Sequence, residues 1–231
     1  MAGGERPHRR GAARPGLGRA RLQRGRRDLA RVSQPSGILL AGGASRRFGR
    51  PKVVEPLDGA PLFHRPLKAL LDSCDDVVIV LAPDAPEPPL PGGSDRVSFA
   101  RDQVAYEGPL AGTRAGLEQV RREYAVLVAA DMPGLCAPLL SLMYERTATH
   151  PRKAIVLRDA DGPRPLPAVI MVAPALAVAR MLLVSGERRL RALIESLEPD
   201  GLPETVWSQA DAEGAWRHDV DLPDDLRRRT R

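Results

Sequence analysis

Three short, unbroken apolar runs restrict the fold more than anything else in this sequence. They are Gly37-Ile-Leu-Leu-Ala41, Val77-Val-Ile-Val-Leu81 and Ala125-Val-Leu-Val-Ala-Ala130. Each is too short for a buried helix, and a strand that reads as continuously apolar is one covered on both faces, as in a parallel sheet. Longer segments with apolar residues at helical spacing separate the runs, which is the βαβ succession. The expected architecture is therefore a three-layer α/β/α fold with a Rossmann-like, mostly parallel sheet. Helices are predicted over 61–73, 110–123, 138–147, 174–184 and 187–197. Further strands are predicted at 97–99, 154–157, 168–172 and 205–207, with a turn-to-helix over 219–228. The Pro-rich stretch 83–91 reads as a surface loop.

The formal charge of +6 suggests a polyanion binder until its position is considered. Residues 1–35 hold ten arginines against Glu5 and Asp28, a net +8, so the remaining 196 residues carry −2. An Arg-, Gly- and Ala-rich segment with little apolar periodicity cannot offset its own ordering entropy. Residues 1–35 are accordingly expected to be a disordered extension, and 36–231 the functional domain. A misplaced upstream start, a polyanion-binding tail and a targeting peptide are three competing accounts of that extension. With a mildly acidic body and aromatics at 3%, nucleic acid is not the expected partner. No apolar run approaches the ~18 residues that span a bilayer, so a cytoplasmic protein without membrane contact is expected, as a monomer or weak homo-oligomer. Cys74 and Cys136 lie far apart with no Cys-x-x-Cys, the pattern of buried thiols rather than of a disulfide or zinc site.

In an open parallel sheet, ligands bind beyond the carboxyl ends of the strands, and three such places carry chemistry. The first is the turn after 37–41, where Gly42 and Gly43 allow close backbone approach and Arg46, Arg47 and Lys52 bring positive charge, together a cradle for phosphates. It is neither a Walker A loop nor a dinucleotide fingerprint. The second is Asp131, which follows six apolar residues and precedes Met132-Pro133. A carboxylate at the end of a buried strand is costly unless capped, paired or bound to a cation, so Asp131 reads as a magnesium ligand or as a helix cap. The third is Arg101-Asp102 followed by Glu107-Gly108-Pro109-Leu110-Ala111-Gly112, a tight turn that opens a helix whose N–H groups face the same side.

Taken together, Leu40-Ala-Gly-Gly43, Arg47-Phe-Gly49 with Lys52, Gly108-Pro-Leu-Ala-Gly112 and Asp131-Met-Pro133 resemble, in order and spacing, the MobA-like nucleotidyltransferases. The resemblance runs from about Gly37 to Leu226. It includes Arg164-Pro-Leu-Pro-Ala168, similar to the family's Pro-Leu segment near the acceptor, Gly186 to Leu193, similar to its late helix, and Asp219-Val-Asp-Leu-Pro-Asp-Asp-Leu226, similar to its closing segment. It implies a fold of the nucleotide-diphospho-sugar transferase type. It also implies that Leu40, Ala41, Gly42 and Gly43 hold base and ribose, and that Arg47 and Lys52 bind the triphosphate and act in catalysis. Asp102, Gly108, Pro109, Leu110 and Gly112 would line the nucleotide, and Asp131 would bind Mg²⁺. Pro165, Leu166, Asp219 and Asp221 would face the acceptor. Asp219 and Asp221 stand where the family usually has asparagines, and Leu222 where it has threonine.

The implied reaction is attack of an acceptor phosphate on the α-phosphorus of a nucleoside triphosphate with loss of pyrophosphate. It needs alignment and charge neutralisation but no covalent intermediate and no dedicated base, so His64 and His218 receive no catalytic role. Leu-Ala-Gly-Gly with Gly-Pro-Leu-Ala-Gly resembles the guanylyl-transferring members and implies GTP, with molybdenum-bearing molybdopterin as acceptor. Arg50-Pro51-Lys52 followed by Pro56-Leu57-Asp58-Gly59 is similar to cytidylyl and sugar-phosphate enzymes. That keeps open a cytidylyltransferase of molybdopterin using CTP, or a sugar- or polyol-phosphate nucleotidyltransferase.

Overall fold

The computed structural model describes residues 1, 33–42, 54–102, 108–150, 152–220 and 225. The chain divides into two units, Met1–Ser33 and Gln34–Arg231, and the account below concerns the second. The expectation of disorder over 1–35 falls almost wholly outside the described residues, as do Gly43, Arg47, Lys52 and Asp221.

The three apolar runs form the sheet they predict. Strand β1 (Ser36–Leu40) lies between β4 (Asp76–Leu81) and β6 (Tyr124–Ala129), parallel to both. A small hairpin of β2 (Pro56–Leu57) and β3 (Ala60–Pro61) precedes α1 (His64–Ser73), and β5 (Val97–Arg101) extends the sheet alongside β4. After α2 (Pro109–Leu117), β6 and α3 (Ala137–Thr149), the chain lays down β7 (Ala154–Asp159) and β8 (Gly162–Met171). Then follow α4 (Val172–Val184), α5 (Leu190–Ser196), β9 (Asp200–Leu202), α6 (Glu204–Trp207) and a 3₁₀ turn at Ala215–Arg217. The seven-stranded order is β5-β4-β1-β6-β8-β7-β9, with β8 antiparallel to both its neighbours.

Alternation along the central strands builds the two outer layers. Leu39, Val77, Ile79, Val126 and Val128 point to the face covered by α1, α3 and α6. Ile38, Val78, Val80, Ala125 and Leu127 point to the face covered by α2, α4 and α5. The helix predicted over 61–73 starts only at His64, because Leu62 and Phe63 are already buried in the turn that enters it. Pro66 is tolerated in its first turn, where the N–H has no helical partner. At its other end Arg96 donates to the carbonyls of Leu71 and Cys74, both at 2.7 Å.

Four expectations need correction. Helix α2 stops at Leu117 rather than Glu123, since beyond that point only Val120 offers an apolar face. Residues 205–207 belong to a helical turn and not to a strand. Pro203 caps that turn and Trp207 buries its ring while its Nε1 donates to Arg158 O at 2.9 Å, so tertiary anchoring overrides the β-branched composition. Strand β8 is twice as long as the 168–172 segment predicted, because Pro163, Pro165 and Pro167 argued against a strand. Its pairing with β6 covers only Ala168–Met171, so those prolines lie where no β6 neighbour needs their N–H groups. Cys74 is buried, and burial pushes its thiol up to about 12, but Cys136 is only partly covered. The turn-to-helix over 219–228 lies largely outside the described residues.

The centre of the sheet carries the stability of this architecture. Leu127, fully buried on β6, is expected to cost about 2–5 kcal/mol when replaced by alanine. Urea denaturation followed by far-UV circular dichroism measures this, and a loss below 1 kcal/mol would contradict the packing described.

Candidate active site

Strand order places the switch point of the sheet between β1 and β6, because the chain leaves β1 toward β4 and leaves β6 toward β8. A crevice opens outside the carboxyl ends of two such strands. Gly42 and Asp131 follow those two strands. The backbone stays laced past their ends, Ala41 N donating to Val80 O at 2.9 Å, Ala130 N to Leu40 O at 3.0 Å and Asp102 N to Leu81 O at 3.1 Å. Leu40, Ala41, Gly42, Asp102 and Asp131 therefore emerge along one edge. A Cβ on Gly42 would stand 3.2 Å from Ala82 N, so even alanine would press on the backbone of the next strand. Arg101 holds that neighbouring loop, donating to the carbonyls of Ala82, Pro83 and Ala85 at 2.7–3.2 Å.

Asp102 is buried at the end of β5, three strand positions from β6. At the usual inter-strand spacing this sets it roughly 14 Å from Asp131 along the shared edge. Between them, α2 presents its N-terminus to the same edge. Gly108, its N-cap, has φ +93, and a Cβ there would meet Arg188 O at 2.8 Å, a double reason for glycine. Pro109 opens the helix, and Leu110 N donates to Arg188 O at 3.3 Å. Gly112, by contrast, has ordinary room for a side chain. The 186–189 turn that touches Gly108 is held by Glu187, whose carboxylate accepts from the backbone N–H of Arg188 and Arg189 and from the Arg189 guanidinium. The Arg189 hydrogen bond, followed by those backbone bonds, lowers the Glu187 carboxyl to about 2.

On the other side of Asp131 lies a cleft of about 360 Å³, lined among others by Asp131, Arg164, Pro165, Leu166 and Asp219. Sequence positions 131, 164–166 and 219 meet for three structural reasons. The proline-bearing half of β8 projects beyond β6, carrying Arg164 to Leu166 past the end of that strand. Val220 N donates to Asp131 O at 2.9 Å, and the Val220 side chain is buried with Leu57 and Leu62, which fixes Asp219 beside Asp131. Finally, Trp207 and Trp216 pack edge to face at 5.6 Å, and Trp216 N donates to the buried Asp211 at 3.0 Å.

Arg164 itself is held by the almost fully buried Asp159, Nε to Oδ2 at 2.6 Å, and by Asp161 at 3.3 Å. Burial works to raise the Asp159 carboxyl. The Arg164 hydrogen bond, the Asp161 N–H and the charges of Arg164 and Arg217 outweigh it and hold the group below its ordinary range. The Arg164 guanidinium is correspondingly raised, first by its bond to Asp159. Of three further cleft residues, Arg191 lies in the Gly186–Leu193 segment quoted for the resemblance but received no role there, and Trp216 and Arg217 were not singled out, since the sequence gives no local sign that any of them meets Asp131. His64, outside the cleft, bonds Pro89 O at 2.8 Å through Nε2.

Among the described residues no three His, Cys, Asp or Glu side chains form a metal cluster. Magnesium does not require one: it keeps several waters and takes one or two carboxylates together with substrate phosphates. Asp131 and Asp219, two hard oxygen donors on one cleft, fit that demand.

Residues 37–201 match the MobA-like NTP transferase domain. A Natronomonas pharaonis protein named "Probable molybdenum cofactor guanylyltransferase" is 34% identical over 207 residues, covering 85% of this chain and 97% of its own length. The molybdenum cofactor guanylyltransferase of Pseudomonas syringae pv. syringae is 31% identical over 166 residues, 71% of this chain and 81% of its own. In fold, the chain is similar to molybdopterin-guanine dinucleotide biosynthesis protein A of Archaeoglobus fulgidus, with TM-score 0.68 and 23% identity over 84% of this chain and 95% of that one. It is also similar to the 2-C-methyl-D-erythritol 4-phosphate cytidylyltransferase of Thermus thermophilus, with TM-score 0.59 and 16% identity over 82% and 94% of the respective chains.

Docking of the 215–220 segment on the Asp131 loop depends on Gly134, where any Cβ would fall well inside contact distance of Ala215 O. The two tryptophans of the chain, Trp207 and Trp216, both lie in the docked region, so intrinsic fluorescence reads it selectively. Gly134→Ala is expected to red-shift the emission and to lower stability by about 1–3 kcal/mol, leaving far-UV circular dichroism largely intact. An unchanged emission maximum and denaturation midpoint would show that the close approach is not needed.

Proposed function

The chain belongs to the MobA-like NTP transferase family, and from that premise we propose that residues 36–231 transfer GMP from GTP to the phosphate of molybdenum-bearing molybdopterin, releasing pyrophosphate, in molybdenum cofactor biosynthesis. The observation that carries this reading is the pairing of two half-sites across the switch point. Gly42, Asp102 and the Gly108 turn stand on one side, and the cleft of Asp131, Arg164 to Leu166 and Asp219 on the other.

In this scheme the β1 turn and the N-terminus of α2 receive the nucleotide, backbone N–H groups and the positive end of the helix facing its phosphates. Arg47 and Lys52, assigned from the sequence motif, neutralise the triphosphate. The cleft beyond Asp131 receives the acceptor, with Pro165 and Leu166 as an apolar wall. An acceptor phosphate oxygen forms the new bond to the α-phosphorus while the bond to the bridging oxygen breaks, and the electron pair leaves with pyrophosphate. A phosphate-monoester oxygen is already nucleophilic, so the protein's contribution is to hold the two reactants in line and to stabilise developing charge. Asp131 and Asp219 would hold Mg²⁺, which supplies charge neutralisation at the phosphates.

Incubating the purified chain with Mg²⁺, each NTP in turn and molybdopterin should release pyrophosphate with GTP. Release with CTP and not GTP would reassign the base, and release with none of the four NTPs across a panel of acceptor phosphates, molybdopterin and sugar and polyol phosphates included, would end the enzyme reading. Asp131→Ala is expected to lower kcat by at least a hundredfold while preserving the circular dichroism spectrum. Near-normal turnover would make Asp131 a capping residue of the loop that follows β6.

A further inference from the structure

We propose that Arg191 and Arg217, backed by Arg164, form an anion clamp in the acceptor cleft. The clamp would read a second anionic group on the acceptor, separate from the phosphate that reacts. The proposal rests on the cleft being the acceptor site and specifies the chemical class of acceptor it takes.

The charges on the wall of the cleft are divided. Asp131 and Asp219 lie together because Val220, next to Asp219, bonds the Asp131 carbonyl, while Arg164, Arg191 and Arg217 supply three guanidinium groups. A reacting phosphate approached by metal-binding carboxylates does not by itself call for three arginines. A cleft of about 360 Å³ also falls in the range of small-molecule pockets and exceeds what one phosphate fills.

The arginines differ in what they have left to offer. Arg164 spends its Nε and one Nη on Asp159 and Asp161, so it is a fixed charge. Arg191 meets Glu195 only at 3.9 Å, too far for a hydrogen bond. Arg217 meets Glu204 at 3.9 Å and gives its Nε to Gly214 O at a long 3.4 Å. Its guanidinium lies over the Trp207 ring, 5.0 Å from the centroid, a cation–π contact that restrains the group before any ligand arrives. Gly214, with φ +63, makes room for it, since a side chain there would collide with the guanidinium. Two arginines with donors to spare among the described residues, one of them held by an aromatic face, suit a group that accepts several hydrogen bonds at once.

The test uses the full chain and inorganic phosphate as probe. Phenylglyoxal labels exposed arginines, and peptide mass mapping reads each one. Millimolar phosphate is expected to slow labelling of Arg191 and Arg217 at least fivefold while the exposed Arg152 is unaffected. Equal labelling with and without phosphate, or equal protection of Arg152, would overturn the clamp. In the transfer assay Arg217→Gln and Arg191→Gln should each raise the acceptor KM at least tenfold and change the GTP KM less than twofold. A rise in the GTP KM instead would overturn the assignment to the acceptor. Protection without any nucleotidyl transfer would leave the anion site standing and defeat the proposed reaction. Transfer with an unaltered acceptor KM in both variants would do the reverse.

Discussion

The structure hangs on the burial of β1 between β4 and β6. A strand whose backbone is paired on both edges and whose side chains are covered on both faces has no freedom of register or direction. That constraint aligns the parallel strands β5, β4, β1 and β6 so that they end on the same side, and the polar residues that terminate the apolar runs emerge there together. Gly42, Asp102 and Asp131 are neighbours along an edge because the hydrophobic pattern ends where it does. No contact between their side chains is needed to assemble them.

The other half of the site is built differently. Residues 164–166 reach the Asp131 loop on the overhang of a sheet strand, and residues 215–220 reach it through contacts outside the sheet. Those contacts are the Val220 bond to the Asp131 carbonyl, the burial of Val220 with Leu57 and Leu62, and the edge-to-face tryptophans. Several lie on short elements, and together they position Asp219. Close approach at Gly134 leaves no slack at the junction. In the proposed reaction, recognition of the acceptor would thus depend on the cleft beyond Asp131, and chemistry at the switch point on the central sheet.

Electrostatics follow the same division. The net charge of the body is slightly negative once the first 35 residues are set aside, yet the cleft beside Asp131 gathers three arginines at its wall. A buried carboxylate, Asp159, immobilises one of them and a tryptophan face orients another. Local concentration of charge in a concave, partly desolvated setting matters more to a bound anion than the sum over the chain.

The sequence by itself determined the central strands, the helices between them, the mostly parallel sheet, the strand-end positions of Gly42, Asp102 and Asp131, and the helix-opening turn at Gly108. These are carried by local periodicity and by where it breaks, which a chain displays without folding. It misjudged β8 and residues 205–207, because proline in a projecting strand and β-branched residues in an anchored helical turn are settled by neighbours far along the chain. Only the tertiary structure decided that Asp102 and Asp131 stand three strands apart on one edge, and that Arg191 and Arg217 line the same cleft as Asp131. Those relations depend on strand order and on which loops a buried valine and a pair of tryptophans pull together, and neither leaves a period in the sequence.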